Sequence, residues 1–458
     1  MTARTTTTSG VFAPGRRALT VGIVFTITLV AFEGLAVATV LPVVRKDLGG
    51  LALYGWVFSA FFLTSLIGTV AAGRAADRGG PRRPFVAGLV LFALGLLVAG
   101  FAPSMGVLVA ARAVQGLGAG AIPAVAYVAI GRAYPTELQP RMFAVMSSAW
   151  VIPGVVGPAI SGIIADTFSW RWVFLGLLPL VALAAAMTTR ALGALGPPGG
   201  AEPADRRGDA VALAFGGACV LAGATSHSPV TTPPLVLLGG IIGARAFLRL
   251  MPRGTTRLAH GLPAAVALRG LATFAFFGTD AYVSLTLTSL HHASATAAGI
   301  ALTAATLTWT IAAWVQARHV FTFGPQAFVR VGLVIITAGI GVMIVVAQAD
   351  VPLVAAVVAW GIAGFGMGLS YAPLSLVVLA QAPAGGEGAA TASLQLCDTL
   401  GVALGTGVAG AIVAAGPTFA WSRATALTIA FTLCAVIAVA TAVAAARLPS
   451  QLPRAAAA

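Results

Sequence analysis

Hydrophobic positions along this chain come in long, nearly unbroken stretches divided by short polar connections. A stretch of about 17–25 apolar residues is what ~30 Å of hydrocarbon requires at ~1.5 Å per residue. Fourteen candidate spans are read: Leu19–Val44, Tyr54–Ala72, Pro84–Phe101, Met105–Ile130, Met142–Ile164, Trp172–Met187, Ala210–Thr225, Pro233–Leu248, Leu262–Leu290, Thr296–Gln316, Val329–Ala347, Pro352–Leu379, Ala389–Ala415 and Thr425–Ala445. The seventh and eighth are short, and twelve spans result if those two only skim the membrane. In lipid every backbone N–H and C=O must be satisfied internally, so such stretches must be helices. The strict apolar/polar alternation of a β-barrel strand is missing. The pattern predicts an all-α polytopic membrane protein.

The longest polar interruption, residues 191–208, contains the Pro/Gly-rich run PPGGAEPADRRG and reads as a flexible linker. It divides the spans into six (19–190), two (209–250) and six (262–446), flanked by a Thr-rich tail, 1–18, and a short tail, 447–458. Two six-helix groups suit a transporter built from repeats, with its substrate site between them. The first tail lacks the short apolar core and small-residue cleavage site of a secretory signal, so it is expected in the cytoplasm.

Composition supports the membrane reading. Of 458 residues, 59% are hydrophobic and 8% charged, against roughly 25% charged in a soluble chain. The net charge of +14 does not indicate a nucleic-acid partner, because the arginines sit between apolar stretches on alternate connections. Arg74, Arg78, Arg82 and Arg83, then Arg132 and Arg141, Arg190, Arg206 and Arg207, Arg249, Arg253 and Arg257, and Arg318 and Arg330 share one side. The other side has little beyond Arg45, Lys46, Arg171 and Arg423. By the positive-inside rule both termini are cytoplasmic. Cys219, Cys397 and Cys434 lie within apolar stretches without metal spacing, and read as packing residues. His291 and His292 read as a solvated outer loop rather than a metal site.

Local motifs sharpen the picture. Between the second and third spans lies GRAADRGGPRR, Gly73 to Arg83: its glycines, Gly80 among them, allow a tight turn, and Asp77 can accept hydrogen bonds at a helix N-terminus. The alternative is a basic loop that merely sets topology. Arg112, in VAARAVQGLGAG of the fourth span, should face a cavity or partner, since an arginine in lipid costs at least ~2.5–3.5 kcal/mol. The fifth span reads PGVVGPAISG, with Pro153 and Pro158 expected to bend it and Gly154, Gly157 and Gly162 to permit close packing. SWRW, Ser169 to Trp172, suits an aromatic belt at the outer interface.

Together GRAADRGGPRR, RAVQGLGAG, PGVVGPAISG and SWRWVF resemble the loop, fourth-helix, fifth-helix and following motifs of the major facilitator superfamily. The six-two-six pattern resembles its fourteen-helix drug:proton antiporter branch. The resemblance implies two six-helix bundles plus two extra central helices, alternating access, export and proton coupling, with Gly73, Asp77, Arg78, Gly80, Arg82 and Arg83 as a cytoplasmic gating loop. It also implies a plasma-membrane monomer, in bacteria the inner membrane. Two departures are visible. Glu33 stands in FEGLAVATVLP, where the branch commonly has aspartate, and the second copy of the loop motif, Phe323 to Arg330, lacks its acid.

Of twelve acids, three fall inside predicted helices: Glu33, Asp280 and Asp398. Carboxylates there are expensive and are candidates for proton coupling or for meeting substrate charge; as purely structural groups they would pair with Arg112 or Arg269. Trp56, Trp150, Phe277, Tyr282 and Tyr371 are candidates to line a cavity for apolar substrates, or otherwise to pack. No nucleotide-binding loop, metal cluster or nucleophile–base pair stands out, so neither an enzyme nor a cofactor is expected. The substrates implied are small hydrophobic or cationic compounds. Export of one endogenous metabolite or lipid, and uptake by proton symport, remain open.

Overall fold

The computed structural model describes residues 10–49, 53, 56–196, 206–225, 230–293, 295–348, 351–414, 416 and 419–452. The described residues are helical and contain no strand. The early tail (1–9), half of the expected linker (197–205), Asp350 and residues 453–458 lie outside them. Fifteen α-helices follow one another: α1 (Pro14–Leu48), α2 (Trp56–Gly79), α3 (Arg82–Gly100), α4 (Met105–Ala133), α5 (Gln139–Ser148), α6 (Val151–Thr167), α7 (Arg171–Leu175), α8 (Leu178–Gly193), α9 (Arg207–Thr225), α10 (Thr232–Leu250), α11 (Leu262–Leu290), α12 (Ala295–Gln348), α13 (Leu353–Gln381), α14 (Glu387–Ala414) and α15 (Arg423–Ala444). Among the described residues, eleven helical segments are long and apolar enough to cross a membrane, or twelve if the bent pair Gln139–Gly157 and Ala159–Thr167 crosses as one.

Two expected spans are broken. The fifth comprises α5 and α6, and its axis turns by 42° between Gly157 and Ala159, where Pro158 has no N–H to continue the ladder. The sixth is α7 followed by α8, with Pro179 in the first turn of α8. Conversely, the tenth and eleventh spans join in the 54-residue α12, which leaves helical geometry at Gly324 (φ 79°, ψ 160°). A straight helix of that length would measure about 80 Å, far more than one bilayer crossing. Gly324 therefore marks the turn between two passes, and Pro325 starts the second.

The chain divides into two compact units. Among the described residues the first takes in 10–246 and 384–388, the second 247–383 and 389–452. Within the first, α4 is the most enclosed element. A Cβ at Gly116 or Gly120 would strike the backbone of Phe61 or Ser65 on α2, and one at Gly118 would strike Gly88 and Phe92 on α3. Only glycine lets these backbones approach so closely. Within the second unit, Cβ atoms at Gly364 and Gly368 of α13 would strike Ala305 and Trp309 on the first half of α12. At Gly366 a Cβ would meet Gly332 and Ile336 on the second half. The spacing is the same in both units: 364 − 116, 366 − 118 and 368 − 120 all equal 248. The turns repeat too, Gly80–Pro81 and Gly324–Pro325, with φ 82° and 79°. Each unit thus carries one copy of a helix trio welded at a Gly-x-Gly-x-Gly stripe.

The expected packing role of the fifth-span glycines is not what the structure shows. Gly154 is exposed, Gly162 has no heavy atom within 4 Å of where a Cβ would stand, and Gly157 makes only ordinary contact with Phe32 and Leu35 of α1. The fourth-span glycines take that role instead.

Candidate transport site

In the first unit Glu33 lies mid-way along α1 and Arg112 near the start of α4, both 1% exposed. They form an ion pair through Glu33 Oε1 and Arg112 Nη1. Arg112 also donates to Gln115 Oε1 at 2.8 Å and to the Val57 carbonyl at 3.1 Å, and its guanidinium lies 4.1 Å from the Phe61 ring centre. Glu33 Oε2 is buried without a hydrogen-bond partner. The arginine thus has three oxygen acceptors and a ring face around it, whereas one carboxylate oxygen has no partner.

At the α2 end, Asp77 is fully buried in the last turn. It accepts from the Gly388 N–H at 2.8 Å, in the first turn of α14, and pairs with Arg132 at 3.3 Å. Arg132 also reaches Glu387 at 3.2 Å. A Cβ at Gly388 would stand against the Gly73 carbonyl, so backbone meets backbone at this point. Arg132 at the end of α4 is thus a cation that meets Asp77, and Arg78, Arg82 and Arg83 are exposed. From the sequence Arg132 reads only as a topology signal, and nothing there singles out Glu387.

In the second unit Asp280 on α11 accepts a hydrogen bond from Trp360 Nε1 on α13 at 2.7 Å. Asp398 on α14 accepts from the Tyr371 hydroxyl at 2.9 Å and lies 3.7 Å from Arg269 Nε. Arg269, 1% exposed, bonds Ser375 and stacks its guanidinium over Tyr371, 3.3 Å from the ring centre. Between the two acids runs a chain of rings: Trp360 stacks on Phe276 at 5.0 Å, Phe276 meets Trp309 edge-on at 5.6 Å, and Trp309 lies 5.2 Å from Tyr371.

The Major Facilitator Superfamily matches residues 23–406, most of the chain. The chain belongs to that superfamily. It is a multi-pass membrane transporter and not an enzyme. A Mycobacterium tuberculosis protein named "Probable multidrug-efflux transporter" is 28% identical over 455 residues, covering 93% of this chain and 94% of its own. The multidrug transporter MdtP of Bacillus subtilis is 32% identical over 177 residues, 39% of this chain and 33% of its own. Among solved structures, the human organic anion transporter MFSD10 superposes with a TM-score of 0.68 at 15% identity, covering 93% of this chain and 99% of that one. The proton:xylose symporter XylE also gives 0.68, at 14% identity, covering 93% and 94%. These two share its fold.

The remaining candidates of this facilitator are scattered. Phe277 is half-buried, 6.3 Å from Trp309, and joins the ring cluster with Tyr371. Tyr282 donates to the Thr406 carbonyl at 3.1 Å, tying α11 to α14. Trp56 is half-buried at the start of α2, and Trp150 is 50% exposed at the α5–α6 break. Neither joins the ring cluster or the Glu33 pair. Trp309 and Trp360 were missed because a tryptophan in an apolar stretch carries no label until its neighbours are known.

The SWRW segment also differs from a simple belt. Trp170 is 3% exposed and donates to Asp47 Oδ2 at 2.9 Å, while Arg171 pairs with the same oxygen at 2.8 Å. Only Trp172 is largely exposed. The Trp170 hydrogen bond, with the Arg171 bond and charge, holds the Asp47 carboxyl below its ordinary value.

Proposed function

We propose that this transporter is a proton-driven exporter of small hydrophobic and cationic compounds, working by alternating access. The observation that carries the reading is the Glu33–Arg112 pair: a carboxylate inside a spanning helix, buried, held by one cation and left with one oxygen unsatisfied. A carboxylate in that setting either keeps its pair or takes up a proton and releases it. Binding a proton from outside frees Arg112 to change partners, and losing it inside restores the pair. This cycle joins proton entry to a rearrangement of α1 against α4. Export and breadth of substrate follow the likeness to proteins named for multidrug efflux. Asp77, Gly73, Arg132 and Glu387 form the cytoplasmic gate in this reading. Gly80 supplies the turn beside it, and Arg78, Arg82 and Arg83 hold the loop at the headgroups. Pro153, Gly154, Gly157, Pro158 and Gly162 give the fifth span its bend.

The same reading sets fourteen crossings in a bacterial inner membrane, with both termini cytoplasmic and the protein a monomer. Separating α12 at Gly324 adds a pass to the twelve, and α9 supplies the last. Single cysteines in a background lacking Cys219, Cys397 and Cys434 test the topology: Arg78→Cys should label only from the cytoplasm and His291→Cys only from outside. Inverted vesicles test the function. Acidifying their interior should drive uptake of a cationic dye and a neutral antibiotic, and a protonophore should abolish both. Uptake indifferent to the protonophore sinks proton coupling.

A further inference from the structure

The 248-residue repeat that aligns the two glycine stripes also aligns Arg112 with Trp360 (360 − 112 = 248). Both side chains reach from the glycine-striped helix of their trio, α4 or α13, to an acid on the helix that precedes the trio, α1 or α11: Arg112 to Glu33, and Trp360 to Asp280 (280 − 33 = 247). One place in the fold therefore holds a carboxylate in both units, with a guanidinium facing it in one and an indole N–H in the other. Glu33 is met by Arg112, and Asp398 by Arg269. Among the described residues Asp280 alone of these three acids has no ion pair.

We propose that Asp280 and the rings around it form the binding site for a monovalent organic cation with an aromatic or apolar body. The Asp280 carboxylate supplies the charge that no resident cation cancels. Trp360, locked flat on Phe276 and fully buried, fixes that carboxylate with its N–H. Phe277 and Trp309, both half-buried, meet Phe276 at 5.2 and 5.6 Å and extend the ring surface from Trp360. Ring faces attract cations, and apolar groups bury against them. A site that only carried a proton would have no use for such walls. Asp398, neutralised by Arg269 and bonded to Tyr371, closes the far end of the ring chain rather than competing for the ligand. The assignment rests on the export reading, which leaves open which acid meets substrate.

The test is equilibrium binding of tetraphenylphosphonium to the purified full-length protein, with triphenylphosphine oxide as the neutral probe. Asp280→Asn should weaken phosphonium binding about tenfold or more, as loss of a close charge pair implies, and change the neutral probe by less than about threefold. Asp280→Glu should keep phosphonium binding, and Asp47→Asn, an acid outside the site, should leave it unchanged. In the unaltered protein a carbodiimide should modify Asp280, read by peptide mass, and phosphonium but not the phosphine oxide should protect it. That measurement decides the matter even if Asp280→Asn fails to fold. Absence of phosphonium binding by the parent, parental affinity in Asp280→Asn, equal loss of both probes, or protection by neither would overturn the proposal. Because binding needs no gradient, a protein that binds phosphonium through Asp280 yet shows no protonophore-sensitive export would sink the export reading alone.

Discussion

Replacing Glu33 by glutamine removes one negative charge at a place where 1% of the side chain meets solvent and leaves Arg112 without its counter-ion. Breaking a buried pair by deleting one partner costs about 3–5 kcal/mol. Arg112 keeps the Val57 carbonyl, Gln115 and the Phe61 ring, and the new amide oxygen can still accept from it. The cost of Glu33→Gln therefore belongs at the lower end, about 3 kcal/mol. The converse change, Arg112→Gln, strands a carboxylate whose second oxygen already has no partner, and belongs at the upper end, about 5 kcal/mol at neutral pH. The two variants differ in how they answer acid. A carboxyl group can take up a proton and a guanidinium cannot give one up, so Arg112→Gln should recover stability as pH falls, whereas Glu33→Gln should not. Thermal unfolding in detergent between neutral and mildly acid pH gives the comparison, with the double variant closing a cycle. Gradient-driven efflux should be lost in Glu33→Gln while downhill exchange of a neutral substrate survives. Equal stability of the two single variants at every pH, or parental efflux by Glu33→Gln, would refute the pair as a coupled unit.

Three further outcomes follow from other contacts. Asp77→Asn keeps an acceptor for the Gly388 N–H but loses the charge facing Arg132; it should weaken that junction by about 1.5–3 kcal/mol and abolish transport at normal expression, and parental transport would return the loop to a topology signal. Gly118→Val drives a side chain into the α3 backbone and should destabilise by about 3 kcal/mol or more, read as a lower melting temperature, whereas Gly341→Ala, with nothing within 4 Å, should be neutral or slightly stabilising. The Asp47 carboxyl is held below its ordinary value by Trp170 and Arg171, so its contribution is present at neutral pH and is lost as pH falls through that lowered value. Since Asp47 is half-exposed the contribution is under about 1 kcal/mol, and Asp47→Asn should flatten the acid limb of the melting curve by no more than that.

What the sequence reveals and what it withholds divide along a physical line. Span length and the alternation of arginine loops are local properties, fixed by bilayer thickness and by charge near the membrane, so they can be read directly. The partners of the buried acids are not local: Arg112 stands 79 residues from Glu33, and Trp360 stands 80 from Asp280. Nothing in either segment names the other, although comparing the chain with itself would expose GLGAG and GFGMG at matching depth. Between Gln316 and Val329 the arginine-bearing connection suggests a loop. Its residues keep helical geometry up to a single glycine, since no other breaker than Gly324–Pro325 lies there. In PGVVGPAISG the limit is similar: glycine permits close approach, but the sequence does not say whether a neighbour arrives.

The welded helix trios have a mechanical meaning. In α2, α3 and α4, backbones touch where no side chain intervenes, so one helix cannot slide along another without clashing. Such a bundle moves as a stiff lever. Compliance in the first unit must then reside elsewhere, and the element suited to supply it is the α5–α6 segment, interrupted at Ala149–Trp150, bent by 42° and with open space beside Gly162. Small rotations there, within the repertoire of hinge motion, would swing α6 past α1 while the lever carrying Arg112 stays intact.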